Sequence, residues 1–146
     1  EVEGGDAILT QLRLEARRLG IEGSVEFRPF REDVRDVLAQ ALVVVSPSIL
    51  PESFGLILLE AMMAGRAVVA SDHGGPRELV AHKETGLLVP PGDPAALAAA
   101  LEELLASPEI AHRMGANGRA RALREFPLSR TVHQFEALYW ELLTRA

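Results

Sequence analysis

The stretch at residues 42–65, L-V-V-V-S-P-S-I-L-P-E-S-F-G-L-I-L-L-E-A-M-M-A-G, contains the alternation of elements that decides the fold. It begins with a short β-branched apolar run, which is typical of a parallel strand buried on both faces. A loop marked by Pro47 and Pro51 follows. The next apolar run predicts a helix that begins near Phe54 and is stopped by Gly65. A strand, a loop and a helix in this order are the first part of a βαβ unit.

The rest of the chain repeats this alternation. Upstream, Asp6 is a suitable N-cap and Gly20 a suitable left-handed stop for a helix. Short strands are predicted at residues 25–27, 67–70 and 86–89. Helices are predicted at residues 7–19, 33–41, 76–82, 94–106, 108–125 and 130–143. Strands that alternate with helices indicate an α/β fold with a parallel sheet, whose ligand crevice lies at the carboxyl ends of the strands.

The length and composition of the chain are those of a single domain. With 146 residues, 48% of them hydrophobic, the chain is long enough to bury roughly 68–70% of its unfolded surface. It begins with Glu1 rather than Met, and its first residues have the pattern of a loop between elements. We therefore expect it to be part of a longer protein.

Charge and cysteine content exclude several classes of protein. The net charge of −6 and the pI near 5.2 argue against binding nucleic acid through a broad cationic face. The absence of cysteine excludes a disulfide framework and a thiolate metal site, and it fits a reducing compartment. We therefore predict a cytoplasmic location, since the sequence shows neither a signal-peptide pattern nor an apolar run that could span a bilayer.

Three further groups of side chains have ordinary explanations. One basic cluster could meet acidic lipids, but such a run on a helix is usually a solvated face, so membrane association is unsupported; it consists of Arg119, Arg121, Arg124 and Arg130. The histidines have no metal-ligand spacing, so no metal site is predicted; they are His73, His82, His112 and His133. Tyr139 and Trp140 lie on the last predicted helix, and a packing role is predicted for both.

Glu60 stands out because it falls inside the apolar helix predicted after Phe54. Its neighbours three and four residues away cannot pair with a charge; they are Leu56, Ile57, Met63 and Ala64. A buried, unpaired carboxylate costs several kcal/mol. The sequence therefore predicts either a partner elsewhere in the fold or a ligand whose hydroxyl groups donate to Glu60.

The start of the same helix favours an anion. The first amide groups of a helix have no intrahelical acceptors, and the helix dipole favours negative charge there; here they belong to Ser53, Phe54, Gly55 and Leu56. A phosphate would fit at these amides, and Glu60 could accept two hydroxyl donors from a sugar diol. Glu52 could hold a second polyhydroxyl group. The chemistry alone leaves open that Glu52 is a solvated loop residue and that Glu60 pairs with an arginine or caps a backbone group.

A family resemblance decides between these interpretations. The segment E-S-F-G-L-I-L-L-E-A-M-M-A-G-R-A-V-V-A-S-D-H-G-G-P-R-E-L-V, followed by T-G-L-L-V-P-P-G-D-P, resembles the C-terminal, Rossmann-like domain of retaining GT-B glycosyltransferases with the E-x(7)-E motif. This is the glycosyltransferase group 1, or sucrose-synthase-like, family. The resemblance covers nearly the whole chain. It implies a nucleotide-sugar substrate and no cofactor.

The resemblance also implies roles for individual residues. The second glutamate, Glu60, would hold the ribose of the nucleotide-sugar donor, and the first, Glu52, would contact the transferred sugar. The backbone at Ser53 and around Phe54, Gly55 and Leu56 would meet the sugar and the diphosphate. A loop near the nucleobase is expected at Arg28, Pro29 and Phe30. The pair Gly74 and Gly75 resembles a loop near this site, although a tight turn explains two glycines equally well.

The same resemblance predicts that residues 1–146 are a partial domain. The family's domain begins with two further strands, which carry its phosphate-binding arginine and lysine and lie between the strand at residues 25–27 and the strand at residues 42–45. An N-terminal domain would supply the acceptor site. We therefore expect the chain alone to be inactive and its first strand to lack its native neighbour, unless an oligomer or strand exchange supplies one.

Other functions have weaker support. Within enzymes, a nucleotide-sugar epimerase of GT-B architecture is the alternative, and outside them a receiver-like or flavodoxin-like binding module. A receiver would need clustered aspartates at strand ends, and a dinucleotide enzyme would need G-x-G-x-x-G after a strand. A glycosidase would place its two carboxylates across a cleft, whereas Glu52 and Glu60 follow one another on one loop and helix.

Overall fold

The computed structural model describes residues 5–145, which divide into two compact units. The first unit extends to Glu32 and the second begins at Asp33. The described part of the first unit consists of α1 (Gly5–Arg18) and a single 3₁₀ turn (Glu22–Ser24). Because α1 begins at Gly5, Asp6 lies within the helix and is not its N-cap. Gly20 ends the helix as predicted, with a φ of 69°.

The strand predicted at residues 25–27 is wrong. These residues have no regular secondary structure, because no strand among residues 5–145 pairs with them and an extended segment needs a neighbour to form a ladder. Their side chains make local contacts instead. The guanidinium of Arg28 donates two 2.8 Å hydrogen bonds to Glu26, and the guanidinium of Arg13 lies 5.7 Å from the centre of the Phe27 ring.

The second unit alternates strands and helices around a small parallel sheet. Its strands are β1 (Val43–Ser46), β2 (Ala67–Ser71) and β3 (Gly86–Val89), in the spatial order β1-β2-β3. Val44 is in register with Val68, and Val69 with Leu87. Among the described residues β1 pairs only with β2, so no ladder joins it to residues 25–27. The helices are α2 (Arg35–Gln40), α3 (Leu56–Met63), α4 (Pro76–Leu79), α5 (Pro94–Ala106), α6 (Pro108–Glu125) and α7 (Leu128–Arg145).

Both faces of the sheet are covered, and β2 explains how. All five of its residues are buried, and successive side chains of a strand point to opposite faces. Val68 and Ala70 pack in one cluster with α3 and α4. Ala67 and Val69 pack in a second cluster with α5 and the start of α6. β2 is thus buried on both faces, as its apolar run predicts. The same expectation for β1 is wrong, since Val45 is 37% exposed and, among the described residues, β1 is an edge strand that pairs only with β2. The α/β fold is confirmed.

Several helices differ in length from their predictions for local reasons. α2 begins only at Arg35, since the carboxylate of Asp33 accepts the backbone N–H of Arg35 at 2.9 Å. α4 ends at Leu79 because Val80 is extended, with φ −97° and ψ 115°. α5 begins as predicted, with the Asp93 carboxylate accepting the N–H of Ala96 at 2.9 Å.

α7 leaves its apolar side exposed. None of its described residues is buried, and the expectation that Tyr139 and Trp140 pack is wrong for residues 5–145, where they are 61% and 69% exposed. The Phe135 and Tyr139 rings lie beside each other along the helix, at 6.4 Å between centres. Over the same residues, no helix combines the length and the hydropathy needed to cross a membrane.

Candidate functional site

The predicted site lies where β1 turns into α3, at the carboxyl end of the sheet. The helix begins at Leu56 and not near Phe54, because Gly55 has φ 94° and ψ 54° and a left-handed residue cannot continue a helix. Leu58 donates its amide to the carbonyl of Gly55 at 2.9 Å. The amides of Leu56 and Ile57 therefore remain without intrahelical acceptors, while Ser53 and Phe54 lie on the loop before the helix.

Two glycines of the β2–α4 loop support this turn through direct backbone contact. The amide of Gly75 donates to the carbonyl of Glu52 at 2.8 Å. A Cβ at Gly74 would lie 2.3 Å from the carbonyl oxygen of Glu52, and one at Gly75 would lie 2.3 Å from the Cα of Phe54. From the sequence, a loop near the site and a simple tight turn explain these two glycines equally well. The structure shows that they admit a neighbouring backbone that any side chain would displace.

A histidine holds the other end of the same loop. The Nε2–H of His73 donates to the carbonyl of Ser48 at 2.9 Å. Its Nδ1 is buried and has no hydrogen-bond partner. The sequence marks His73 only as one of four histidines without metal-ligand spacing. Its position directly before Gly74 and Gly75 is the signal that links it to the loop.

Glu52 is half-buried with a free carboxylate. Its Oε2 lies 3.7 Å from the position that a Cβ on Gly55 would take, so the carboxylate lies beside the turn into α3. It makes no ion pair or side-chain hydrogen bond with any of the described residues. A carboxylate placed next to a helix start and without an internal partner can accept hydrogen bonds from a ligand's hydroxyl groups.

Glu60 is exposed, so the prediction that it lies buried is wrong. Leu56, Glu60 and Met63 are spaced by four and three residues and form one outward stripe of α3, with Leu56 65% and Met63 44% exposed. The buried face of the helix carries Leu58, Ala61 and Met62 instead. Glu60 has no ion-pair partner among the described residues, and its Cα lies about 6 Å further along the helix axis than that of Leu56.

A large cavity of about 790 Å³ lies beside Phe54 and Leu56 and is bordered by Arg121, Glu125 and Phe126. Arg130 also borders this cavity, and Arg121 is already engaged. Arg121 donates to the carbonyls of Leu79 and Glu78 at 2.9 Å each and pairs with Glu125 at 3.0 Å. The Arg121 guanidinium is therefore not free to bind a phosphate in this cavity.

A smaller cavity of about 300 Å³ lies at the carboxyl ends of the strands and contains none of the predicted site residues. It is bordered by Pro47 and Ile49 of the β1–α3 loop, by Ser71 at the end of β2 and by Leu97 of α5. The β1–α3 loop thus borders this mostly apolar space with Pro47 and Ile49 and carries Glu52 further along.

The remaining candidates are distributed elsewhere. Arg28, Pro29 and Phe30 belong to the first unit, where Phe30 is 91% exposed. In the basic cluster, Arg124 contacts the Glu125 carboxylate at 2.6 Å and Arg130 donates to the Glu125 carbonyl at 3.3 Å. Within residues 5–145, no three acidic or histidine side chains are grouped so that they could hold a metal ion.

Solved structures define the class of protein to which this fold and site belong. Anabaena Alr3699/HepE, solved in complex with UDP and in complex with UDP-glucose, has a TM-score of 0.91 and 30% identity over 96% of this chain and 38% of that one. Sucrose-phosphate synthase from Thermosynechococcus elongatus has a TM-score of 0.87 and 36% identity over 94% of this chain and 35% of that one. The chain has the Rossmann-like α/β fold of GT-B glycosyltransferases.

The family follows from the sequence comparison. The chain belongs to the family described as glycosyl transferases group 1, which it matches over residues 3–121, and the resemblance stated above is confirmed. N-acetyl-alpha-D-glucosaminyl L-malate synthase of Bacillus anthracis is 33% identical over 97% of this chain. Phosphatidyl-myo-inositol mannosyltransferase of Mycobacterium leprae is 40% identical over 84% of it. The chain spans 37% and 34% of those two proteins, about a third of their length.

Proposed function

We propose that this chain binds the nucleotide-sugar donor of a retaining glycosyltransferase, which transfers a sugar from a nucleoside diphosphate to an acceptor. The observation that carries the proposal is the turn from β1 into α3. It presents a free carboxylate at Glu52, unpaired amides at Leu56 and Ile57, and a second free carboxylate at Glu60. A related protein, HepE, has been solved with UDP and with UDP-glucose, and its similarity covers 96% of this chain.

Each group matches one part of such a donor. Glu60 would accept hydrogen bonds from the ribose hydroxyls and Glu52 from hydroxyls of the transferred sugar, since ionised carboxylates accept such bonds strongly. The amides at the start of α3, with the backbone of Ser53, Phe54 and Gly55, would face the diphosphate, where the helix dipole favours negative charge. We assign the nucleobase to the loop at Arg28, Pro29 and Phe30.

The reaction that fits this arrangement needs no enzyme nucleophile. The acceptor oxygen would attack the anomeric carbon on the face from which the diphosphate oxygen departs. The bond to the diphosphate breaks, the new glycosidic bond forms, and the departing diphosphate takes the acceptor's proton. Glu52 and Glu60 then serve in binding only, and the reaction uses no cofactor.

The acceptor and the remaining wall of the site would come from further chain. Because these 146 residues span about a third of their relatives, we propose that an N-terminal domain supplies the acceptor site. We also propose a cytoplasmic location, in which the enzyme would take its nucleotide-sugar substrate. The chain has no cysteine and therefore needs no oxidising compartment to form disulfides. The isolated chain is then expected to transfer no sugar, and detectable turnover by the purified chain would contradict this.

The test is donor binding by the full-length enzyme. A thermal-shift panel of UDP-, GDP- and ADP-glucose and GDP-mannose should identify a nucleotide sugar that raises the melting temperature, because a bound ligand stabilises the folded state by mass action. Glu60→Ala should then weaken that donor about tenfold or more in calorimetry, the effect of losing one or two charge-assisted hydrogen bonds.

The control for this variant is Glu102→Ala, which removes another exposed glutamate from a helix of the second unit. It should bind the donor as the wild type does. If no nucleotide sugar in the panel stabilises the wild type, the proposed function fails. If the donor binds but Glu60→Ala binds it equally well, the role of Glu60 fails while donor binding stands.

A further inference from the structure

The loop that carries Glu52 is attached to the rest of the second unit at its two ends. At one end, His73 donates its Nε2–H to the carbonyl of Ser48 at 2.9 Å. At the other end, the amide of Gly75 donates to the carbonyl of Glu52 at 2.8 Å. Between them, Ile49 and Leu50 are 73% and 79% exposed, so the middle of the loop has little packing of its own.

The hydrogen bond of His73 is specific to one ring nitrogen. A carbonyl only accepts, so the Nε2 of His73 must carry the proton. Nδ1 faces a buried position with no hydrogen-bond partner. The side chain therefore holds the loop through Nε2 alone, and a donor placed at the Nδ1 position would find no acceptor.

We propose that His73 is a positioning residue for the sugar contact of Glu52, acting through the carbonyl of Ser48. This inference rests on the proposed function, in which Glu52 meets the transferred sugar and Glu60 the ribose. His73 and Gly75 are two residues apart on one loop, and they donate hydrogen bonds to carbonyls that are four residues apart on the Glu52 loop. Without the His73 hydrogen bond, the loop keeps the one from Gly75 to the Glu52 carbonyl, and the direction of the Glu52 carboxylate is less well fixed.

This placement predicts an effect that depends on the ligand. Misplacing Glu52 weakens contacts to the sugar but leaves the proposed contacts to ribose and diphosphate. These come from α3, its first amides and the backbone of Ser53, Phe54 and Gly55, which follow the remaining hydrogen bond between Gly75 and the Glu52 carbonyl. A variant without the His73 donor should therefore bind the nucleotide sugar less well and the bare nucleoside diphosphate normally. General damage to the domain would weaken both ligands together.

The experiment compares His73→Gln, His73→Asn and His73→Phe in the full-length enzyme. Glutamine places an amide N–H near the position of Nε2, asparagine places one near Nδ1, and phenylalanine has no donor. The probes are the nucleotide sugar that stabilises the wild type in the panel above and its own nucleoside diphosphate. His112→Phe is the matched control, since His112 is exposed on α6.

We expect His73→Asn and His73→Phe to weaken nucleotide-sugar binding about three- to tenfold, the effect of one lost hydrogen bond, with nucleoside diphosphate affinity unchanged. His73→Gln should lie close to the wild type. In a Glu52→Ala background, His73→Asn should have no further effect on sugar binding, because the two changes act through the same contact.

Three results would overturn the inference. They are equal binding of the nucleotide sugar by all variants, equal loss of both ligands, or full additivity of His73→Asn with Glu52→Ala. The comparison of Gln with Asn keeps the test decisive if His73→Phe does not fold. Failure of the proposed function itself is distinguishable, because then the wild type binds none of the nucleotide sugars.

Discussion

Gly75 supports the candidate site by having no side chain. A Cβ there would lie 2.3 Å from the Cα and 2.4 Å from the carbonyl oxygen of Phe54, and these backbone atoms can move only if the whole turn moves. We expect Gly75→Ala to lower the free energy of unfolding by about 1–3 kcal/mol, as overpacking does in a close contact. Urea unfolding followed by circular dichroism measures this.

The matched control for this change is Gly23→Ala, where nothing lies within 4 Å of the added Cβ and the backbone is not left-handed. Its stability should stay close to that of the wild type. Equal stability of Gly75→Ala and the wild type would mean that the loop shifts without cost, and the close backbone contact would then have no energetic role.

Asp33 should titrate well below an ordinary aspartate. Hydrogen bonds from the Arg35 guanidinium, and then from the Arg35 amide, lower the pKa of Asp33 from 3.8 to about 2. Because the pKa of Asp33 is lower in the folded than in the unfolded state, its ionised form stabilises the fold at any pH above the unfolded-state pKa. This contribution is lost as the pH falls through about 2. A carboxyl NMR titration should give a midpoint near that value.

Arg35→Gln is the comparison for the Asp33 titration. It removes the guanidinium but keeps the backbone amide, so the Asp33 midpoint should move up toward 3.8 without fully reaching it. A wild-type midpoint already near 3.8 would show that the exposed pair does not hold together in solution.

Glu60 shows what could and could not be predicted for the site from sequence. The placement of Glu52 on the loop before α3 and of Glu60 within α3 was predictable, because prolines, a glycine and an apolar run mark that turn and its helix. The exposure of Glu60 was not predictable, because α3 is apolar on nearly every side and its sequence carries no polar stripe that would mark the outward face. Which face of such a helix is covered depends on its packing neighbours.

Two glycines in one helix give a test at the level of the element. In α6, a Cβ at Gly115 would lie 2.2 Å from the carbonyl oxygen of Gly65, whereas at Gly118 the nearest atom would be the Met62 Cγ at 3.4 Å. Alanine favours a helix over glycine by about 0.8–1.0 kcal/mol. Gly118→Ala should therefore stabilise the protein or leave it unchanged.

Gly115→Ala should instead destabilise the protein by about 1–3 kcal/mol, because the clash with backbone exceeds the gain in helix propensity. Thermal unfolding of the two variants side by side provides the measurement. If both variants shift the melting temperature in the same direction, close packing of α6 against the end of α3 does not control its stability.

The elements differ in how far their sequences determine them. Strands β1 to β3 were predictable because each is a short apolar run, and the central one, β2, is buried on both faces and pairs with the other two. Residues 25–27 have a strand-like pattern too, yet they pair with no strand among the described residues, and an extended segment is a strand only when it joins a ladder. Helix ends were predictable where the sequence carries a capping residue, as Asp93 does at the start of α5. The end of α4 was less predictable, because it depends on the extended backbone of Val80.

At the scale of the whole molecule, the described burial is concentrated in the second unit. Both hydrophobic clusters belong to it and cover the two faces of β2. In the described part of the first unit, Ala16 is the buried apolar residue. The sequence predicted the alternating elements but not this unequal distribution, because α1 has an amphipathic pattern as regular as that of a core helix.

This distribution predicts a gradient of local stability, which amide hydrogen exchange can measure. Two helices of similar length make a matched pair: α1 has 14 residues and α5 has 13. α5 buries Ala100 and Leu104 against the sheet, so its amides should exchange about a hundredfold or more slowly than those of α1. The amides of β2 should be slowest, since all five residues are buried and paired on both sides. Exchange in α1 as slow as in α5 would contradict the gradient, because α1 would then need a stabilising contact that its own exposed apolar residues, Ile8, Leu12 and Leu14, do not show.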